Sequence, residues 1–370
     1  MSRTISYVCL LALALTCVPA QAEEETLADR VQLSGDLRFR YEYIDKETSD
    51  TRDRMRIRVR LGVKGKVNDD LDIVVRLASG SDDPISSNTT FGDGFARKAY
   101  SLDRGYLDWH PGFAEGLGVW FGKTKNPFAK VEDLVWDDDL NPEGIMAVYD
   151  VDAGGLNLFA NAGFWYAEER KSDVDTTMAG LQLGGDMDFS ERVGLMAAVG
   201  YYGWNNTQGQ TPLFYEDDGF GNTTEDLGTE EEPDLRYVND YDVIDAMIKA
   251  GIDTGLLPVS LYAEYIQNTS ATTDGDTGYL LGVTAGKTKD PGSFKVKYNY
   301  RDIEADASIG AFVDSDVFGG GTNGKGHELA ATYQLAKNWQ LAATAFSSQL
   351  DPDGDDLDYQ RFQLDLKAQF

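Results

Sequence analysis

Four arginines alternate with apolar residues near the start of the chain, in the stretch that reads RMRIRVRL. Single residues separate Arg54, Arg56, Arg58 and Arg60. An extended strand places all four side chains on one face, whereas a helix would scatter them around its circumference. Guanidinium groups stay charged and form paired hydrogen bonds with carboxylates and phosphates. The chemistry that this row supports is therefore electrostatic, namely the orientation of charged and polar solutes.

A second charged stretch, residues 126–144, could face the arginine row. It reads NPFAKVEDLVWDDDLNPEG, with prolines near both ends and apolar residues in its middle. Its acidic side chains are Glu132, Asp133, Asp137, Asp138, Asp139 and Glu143. Because apolar residues such as Trp136 argue against a loose solvated tail, we expect the segment to fold into the mouth of a barrel and narrow it. Trp136 would then be buried against the inner wall, and residues 137–139 would face the channel.

Alternating apolar and polar residues predict the strands that must hold these two stretches. In residues 359–370 the alternation is unbroken from Arg361 onwards, and the segment is long enough to span a bilayer as a tilted strand. The pattern recurs at residues 31–43 and 52–67, and thirteen weaker segments bring the total to sixteen. The weaker segments are 71–79, 98–109, 117–125, 144–150, 156–166, 176–187, 193–205, 241–252, 258–268, 278–286, 293–302, 328–335 and 339–347.

The lengths of the connections give an independent indication of the fold. Even-numbered connections are mostly compact, such as 68–70, whereas odd-numbered ones tend to be longer, such as 126–143 and 206–240. The first and fourth odd-numbered connections are short exceptions. Short turns on one rim and long loops on the other are typical of outer-membrane barrels. The sequence thus predicts an all-β fold, a 16-stranded antiparallel transmembrane β-barrel with an inward-folded third loop.

Composition and the chain ends narrow the class of protein further. Residues 1–22 have the charge, the apolar core and the small residues of a secretory signal peptide, and 23–30 would form a short lead before a barrel at 31–370. Both cysteines lie in the signal peptide, so the mature chain would have no disulfide. The net charge of −30 argues against nucleic acid as a partner. After the signal peptide, no apolar run of about 18 residues indicates a membrane helix.

The cost of placing charge in lipid predicts which face of the barrel wall contacts lipid and which face lines the lumen. Arg or Lys at the bilayer midplane costs about 2–4 kcal/mol in a barrel, so the arginine row must face a water-filled lumen. Sixteen strands enclose enough space for an aqueous channel. Continuing the alternation around the wall predicts a basic sector. Its pore-lining residues are Arg38, Arg40, Arg54, Arg56, Arg58, Arg60, Arg76, Arg104, Lys295, Lys297 and Arg301.

Two roles for these arginines stay open. They could face the acids of residues 126–144 across the pore and create a strong transverse field that orients polar solutes. Alternatively, they could pair with Asp36, Glu42 and Asp72 and brace the wall. Both roles can hold for different arginines.

The surroundings of the acidic stretch resemble a known family. NPF at 126–128, LVW at 134–136, DDD at 137–139 and LNPEG at 140–144 are similar to the putative porin family of Gram-negative outer membranes. The similarity covers the mature chain, with residues 102–144 its most specific part. The layout and the folded-in third loop are also similar to those of general diffusion porins. The resemblance implies passive uptake of small hydrophilic solutes, and commonly a homotrimer, without supplying a particular substrate.

The expected environment is the bacterial outer membrane, with lipid and lipopolysaccharide as partners and no cofactor. Acidic outer loops could hold calcium loosely, since residues 351–356 resemble the start of a calcium loop but lack its later glutamate. His110 and His327 would lie on opposite rims, which excludes a two-histidine metal site. Hydrolase chemistry would need an acid beside His327, and Glu328 points to the other face of the wall. The sequence predicts no catalytic residue.

The preference between anions and cations is not decided by the sequence. A basic wall favours anions, whereas acidic outer loops enrich cations at the entrance. A selective anion or phosphate channel is the near alternative. An outer-membrane enzyme and a loop-mediated adhesion protein are alternatives from other classes, and ion current through a planar bilayer discriminates them from a porin.

Overall fold

Sixteen antiparallel strands form a closed barrel in the computed structural model, which describes residues 30–215, 218–229, 231–352 and 354–370. The predicted signal peptide and most of the predicted lead lie outside the described residues. The strands are β1 (Val31–Lys46), β2 (Arg52–Asn68), β3 (Leu71–Ser79), β4 (Tyr100–Trp109), β5 (Leu117–Lys123), β6 (Glu143–Asp152), β7 (Leu156–Glu168), β8 (Thr176–Ser190), β9 (Val193–Asn205), β10 (Asp242–Asp253), β11 (Pro258–Asn268), β12 (Thr277–Gly286), β13 (Phe294–Ile303), β14 (Gly324–Ala336), β15 (Trp339–Leu350) and β16 (Leu357–Gln369).

Each strand pairs with the next along the chain, and β16 pairs with β1 to close the sheet. At the closure Arg38 lies opposite Lys367, and on the other side of β1 Arg38 lies opposite Arg58. Closure satisfies the backbone hydrogen bonds of both edge strands, which a membrane-spanning sheet requires. Every one of the sixteen predicted segments corresponds to a strand, so the predicted 16-stranded antiparallel barrel is confirmed.

The two faces of the wall differ in polarity as the alternation requires. The outer face is apolar and exposed, with Leu33 and Met55 showing 69% and 50% of their surface. The side chains that alternate with them on the same strands are charged and enclosed, and Arg40 and Arg58 are only 4% and 6% exposed. A strand has a side-chain period of two, so one sequence pattern builds both surfaces.

The connections sort into two rims. Compact turns join β2 to β3, β8 to β9 and β14 to β15; in the last of these, Asn338 adopts a positive φ of 59°, as the tight hairpin demands. The long connections gather at the other rim, and one of them carries a small ribbon in which Thr224–Asp226 pairs with Leu235–Tyr237. Another returns to the wall at Thr89–Thr90, which pairs with β2 beyond the end of β3. Among the described residues, no helix is long and apolar enough to cross a membrane.

The apolar core lies within the barrel and on one side of it. Met146, Met178, Tyr202 and Leu280 are fully buried on strands from β6 to β12. They belong to a cluster that includes residues of the connections 124–142 and 304–323. The charged strands β1 to β4 and β16 contribute little to this cluster, so the interior is divided into an apolar half and a charged half.

Candidate functional site

The connection between β5 and β6 is fixed to the apolar half by aromatic side chains. Trp136 is 4% exposed and lies 5.0 Å from Tyr202 and 5.8 Å from Trp165, measured between ring centroids. The backbone of Ala129 is held by the Gln182 amide through two hydrogen bonds of 2.8 Å, one in each direction. The expected burial of Trp136 against the wall is confirmed.

A second connection, residues 304–323 between β13 and β14, packs against the first. The amide of Asp137 donates to the carbonyl oxygen of Phe312 at 2.8 Å, and the amide of Asp314 donates to the carbonyl oxygen of Asp133 at 3.3 Å. Sequence reasoning missed this segment. A signal was present, because eight apolar residues are unusual in a solvated loop. All of them except the half-buried Ala305 are buried, namely Ala307, Ile309, Ala311, Phe312, Val313, Val317 and Phe318.

The three consecutive aspartates of the β5–β6 connection have three different environments. Asp138 is exposed, and Asp139 accepts a hydrogen bond from Arg60 at 3.1 Å. Asp137 is buried, contrary to the expectation that all three would face the channel. Its carboxylate accepts hydrogen bonds from the backbone amides of Asp139 at 2.8 Å and Ser315 at 3.1 Å. It therefore joins the two connections instead of presenting charge to a channel.

The other acids of this connection pair with lysines. Glu132 contacts Lys297 of β13 at 2.8 Å. Asp133 and Asp138 both bind Lys130, at 2.5 and 2.6 Å. Glu143 lies at the start of β6 and pairs with Lys123, the last residue of β5, at 3.0 Å.

Electrostatics separates the carboxyl groups of this connection into two kinds. Burial raises the pKa of Asp133 to about 7 although Lys130 opposes the shift, and burial also raises the pKa of Asp137. Burial likewise disfavours ionised Asp139, but the positive charges of Arg58 and Arg60 outweigh it, so the pKa of Asp139 lies below its ordinary value. Asp139 therefore supplies a permanent negative charge beside the arginine row, while the charge on Asp133 depends on pH.

Many of the predicted pore-lining arginines brace the wall. Arg58 and Arg60 share Asp36, at 2.9 and 2.7 Å. Arg54 pairs with Glu42. Two further pairs follow the same pattern, because Arg40 binds Asp365 of β16 at 2.7 Å and Arg76 binds Asp103 of β4. Arg40 also binds Asp316 of the 304–323 connection at 3.1 Å. Because Arg58 and Arg60 also approach Asp139, they combine bracing with contact to the β5–β6 connection.

Arg301 was predicted to line the pore, but its environment in the structure is different. It is 0% exposed and is enclosed by Asp314 at 2.8 Å and Glu328 at 3.1 Å. Asp314 belongs to the 304–323 connection, which covers this part of the wall. The prediction that Arg301 lines an open pore is therefore wrong, because alternation specifies the inner face but not what packs upon it.

Three predicted residues, Arg38, Arg104 and Lys295, form no ion pair with any part of the chain that the structure describes. Arg38 donates to the side-chain oxygen of Asn88 at 2.7 Å, and Arg104 donates to that of Asn141 at 2.6 Å. Arg56 is only loosely paired, with Glu42 at 3.9 Å. The charged half of the interior thus holds basic groups that the wall does not neutralise.

Among the described residues, one cluster of side chains has the atoms that commonly bind metal ions, and it lies at the rim with short turns. Ligand atoms of Asp72, Asp108 and His110 lie within 4.8 Å of one another. Lys64 already binds Asp72 at 2.9 Å and approaches Asp108 at 3.7 Å. The ammonium group of Lys64 therefore offsets part of the negative charge of these two acids. His327 contacts Tyr298 at 2.8 Å and is not part of this group.

Fold and charge distribution together define a class of protein. A closed antiparallel barrel with an apolar exterior and a charged interior is a channel of the bacterial outer membrane. The chain belongs to the Putative porin family, whose sequence description matches residues 44–229 and 239–370. No curated protein sequence matches it significantly.

Several solved structures share this fold. OprB of Pseudomonas putida, in its high-pH structure, has a TM-score of 0.64 at 10% identity, covering 93% of this chain and 95% of its own. OmpF of Salmonella typhi, in complex with daunomycin, has a TM-score of 0.55 at 12% identity, with coverages of 92% and 97%. OmpT of Vibrio cholerae, folded in vitro and in trimer form, has a TM-score of 0.52 at 13% identity, with coverages of 92% and 100%.

Proposed function

We propose that this protein is a porin whose water-filled channel lets small hydrophilic solutes diffuse passively across the outer membrane. The arginine wall of β1 to β4 would line one side, and the β5–β6 connection would narrow the channel from the other side as an inward-folded constriction loop. The observation that carries the proposal is the contact between Arg60 of β2 and Asp139 of that connection, at 3.1 Å. It places opposite charges side by side on the lining of the cavity through which a solute would pass.

The solute would meet a transverse field at this point. Arg58 and Arg60 lie on the wall, and Asp138 and Asp139 lie on the connection that faces them. In an environment of low effective dielectric, opposed charges act more strongly than in water. A polar solute can align its dipole with such a field, whereas an apolar solute would have to displace ordered water. The channel would therefore favour hydrophilic solutes.

Planar-bilayer recording of the purified protein tests the proposal. We expect ion-conducting steps, and the absence of any current would contradict a porin and favour an outer-membrane enzyme or an adhesion protein.

Reversal potentials in a salt gradient then test whether the arginine wall sets the ion selectivity. Arg58→Ser should shift selectivity towards cations and change the conductance, whereas Arg192→Ser, in the short turn before β9, is the control. If Arg58→Ser behaves like wild type, Arg58 does not lie at the constriction.

A selective anion or phosphate channel is a second candidate. The observation that favours it is the presence of Arg38 and Arg104 on the inner wall without ion-pair partners among the described residues. A permanent excess of positive charge attracts anions, although acidic outer loops oppose this attraction at the entrance. The reversal potential of the wild-type protein discriminates the two candidates, because a selective channel should approach the ideal value for the anion.

We also propose that the protein assembles as a homotrimer, with lipid and lipopolysaccharide around it. The apolar outer face supports contact with lipid or with another subunit, since residues such as Leu61 and Leu107 are exposed on it. OmpT of Vibrio cholerae, whose structure is in trimer form, shares with this chain only the fold. Cross-linking in detergent and mass measurement test the assembly, and a monomer in both would contradict it. Loose calcium binding at residues 351–356, of which residue 353 lies outside the described residues, stays a prediction for a calcium titration.

A further inference from the structure

Like charges face one another across neighbouring strands in the basic sector. Lys367 of β16, Arg38 of β1 and Arg58 of β2 form a row of directly opposite residues. Arg76 of β3 lies opposite Arg104 of β4. Like charges directly opposite each other destabilise a sheet unless something neutralises them. Two such rows in one sector are a feature that wall bracing does not explain.

The protein's own carboxylates neutralise only part of this charge. Asp36 binds Arg58, and Asp103 binds Arg76. No described carboxylate forms an ion pair with Arg38, Arg104 or Lys367. The Nε atom of Arg38 is buried and has no hydrogen-bond partner among the described residues. Each row therefore contains at least one cation whose counter-charge the described chain does not supply.

The uncompensated groups open onto one cavity of about 370 Å³. Six basic side chains line it, against three acidic ones, Asp138, Asp139 and Asp365. Asp365 is already bound to Arg40, which does not line the cavity. The basic residues are Arg38, Arg58, Arg60, Arg76, Arg104 and Lys367. Asp36 and Asp103, which do not line the cavity, also pair with lining arginines, so the cations left without a carboxylate are Arg38, Arg104 and Lys367. The cavity is thus a polar space with uncompensated positive charge, large enough for a small organic anion.

We propose that this cavity is a saturable binding site for small divalent oxyanions that carry phosphate or carboxylate groups. The inference rests on the proposed function, because the solute reaches the site through the channel. Guanidinium forks match the two oxygens of a carboxylate or phosphate, and Arg38 and Arg104 have free donors to offer. A divalent anion restores most of the missing negative charge and removes the cross-strand repulsion. The site would slow and select such solutes during passage.

Block of the chloride current tests the site. Inorganic phosphate, which is mostly divalent at about pH 8, and succinate are added separately at constant ionic strength because salt screens such contacts. We expect a saturable decrease of current. The stronger blocker identifies phosphate or carboxylate as the preferred chemistry, and either result supports the site. A wild-type channel that conducts chloride normally but shows no saturable block by either probe overturns it.

Variants locate the block. Arg38→Gln and Arg104→Gln should each raise the half-blocking concentration about tenfold, as the loss of a charged hydrogen-bond donor implies. Arg38→Lys, which keeps the charge but loses the fork, should fall between wild type and Arg38→Gln. Lys249→Gln removes an exposed lysine of β10, outside the cavity, and is the matched control. Unchanged block in Arg38→Gln and Arg104→Gln contradicts the site. Because every variant must still conduct chloride, loss of all current would count against the porin function instead.

Discussion

The backbone amide of Asp137 donates a hydrogen bond of 2.8 Å to the carbonyl oxygen of Phe312, and this contact joins the β5–β6 connection to the 304–323 connection. One connection carries the acids that face the arginine row, and the other covers Arg301. The candidate constriction is therefore held from two sides, by the aromatic cluster of the wall and by a second segment. Changes in the second segment should alter the position of the first.

The first prediction concerns Phe312. Its ring stacks on Trp204, with centroids 5.2 Å apart and an interplanar angle of 10°. Phe312→Ala should destabilise the folded barrel by about 3–5 kcal/mol, as loss of a buried aromatic side chain does. It should also raise the single-channel conductance, because the β5–β6 connection loses part of its support. Denaturant unfolding in detergent and bilayer recording measure the two effects. Phe95→Ala, at an exposed position, is the control; equal results for both variants would contradict the supporting role.

The second prediction concerns Asp139. Its carboxylate contacts Arg60 at 3.1 Å and accepts hydrogen bonds from the amide and hydroxyl of Ser87 at 3.0 and 2.9 Å. Asp139→Asn removes a permanent negative charge opposite the arginine row, so the reversal potential in a salt gradient should move towards anion preference. Asp93→Asn removes the same charge from an exposed loop and should have a smaller effect, which vanishes as salt is raised. A larger shift in Asp93→Asn would place selectivity at the entrance.

The third prediction concerns pH. The pKa of Asp133, raised to about 7 by burial, means that lowering the pH from 8 to 6 protonates this group. The groups facing it are Lys130, Asp138, Asp137 and Asp314. Acidification should therefore remove a negative charge beside the channel, and the selectivity of the channel should shift towards anions. The folded state binds the extra proton between about pH 4 and pH 7, so stability should rise as the pH falls through this window.

Variants of Asp133 and of the two histidines test the assignment of this pH effect. Asp133→Asn should abolish the selectivity shift between pH 8 and pH 6. His110→Gln and His327→Gln should retain it, since histidine is the other side chain that ordinarily titrates in this range. Persistence of the full shift in Asp133→Asn would assign it to another group.

The fourth prediction compares two buried glutamates. Glu328 is 5% exposed and binds Arg301 and Lys297, at 3.1 and 2.7 Å. Glu264 is 3% exposed, and its Oε2 atom has no hydrogen-bond partner among the described residues. Glu328→Gln should cost about 3–5 kcal/mol because it leaves buried cations incompletely paired. Glu264→Gln should change stability by less than about 1 kcal/mol, because no described cation pairs with this buried carboxyl group and its replacement breaks no ion pair. Unfolding in denaturant measures both, and the reverse order would contradict the ion-pair assignment.

The sequence alone was sufficient to predict the wall. Period-two alternation, as in the row from Arg54 to Leu61, identifies the strands and separates the lipid-facing side from the inner side, because the cost of placing arginine in lipid leaves one choice. Counting these segments predicts sixteen strands and places the β5–β6 connection between the fifth and the sixth strand segments, and the parity of connection lengths separates the two rims. These are local properties, each contained in one strand or one turn.

The arrangement inside the wall was decided by the tertiary structure. Alternation placed Arg301 on the inner face, but only the packing of the 304–323 connection buries it beside Asp314. Asp137 and Asp139 look alike in sequence, yet one joins two backbones and the other faces Arg60. The identity of each counter-ion depends on contacts between residues such as Arg40 and Asp365, which are 325 positions apart. Such pairings follow from closure of the barrel and from what fills it, and no local pattern contains them.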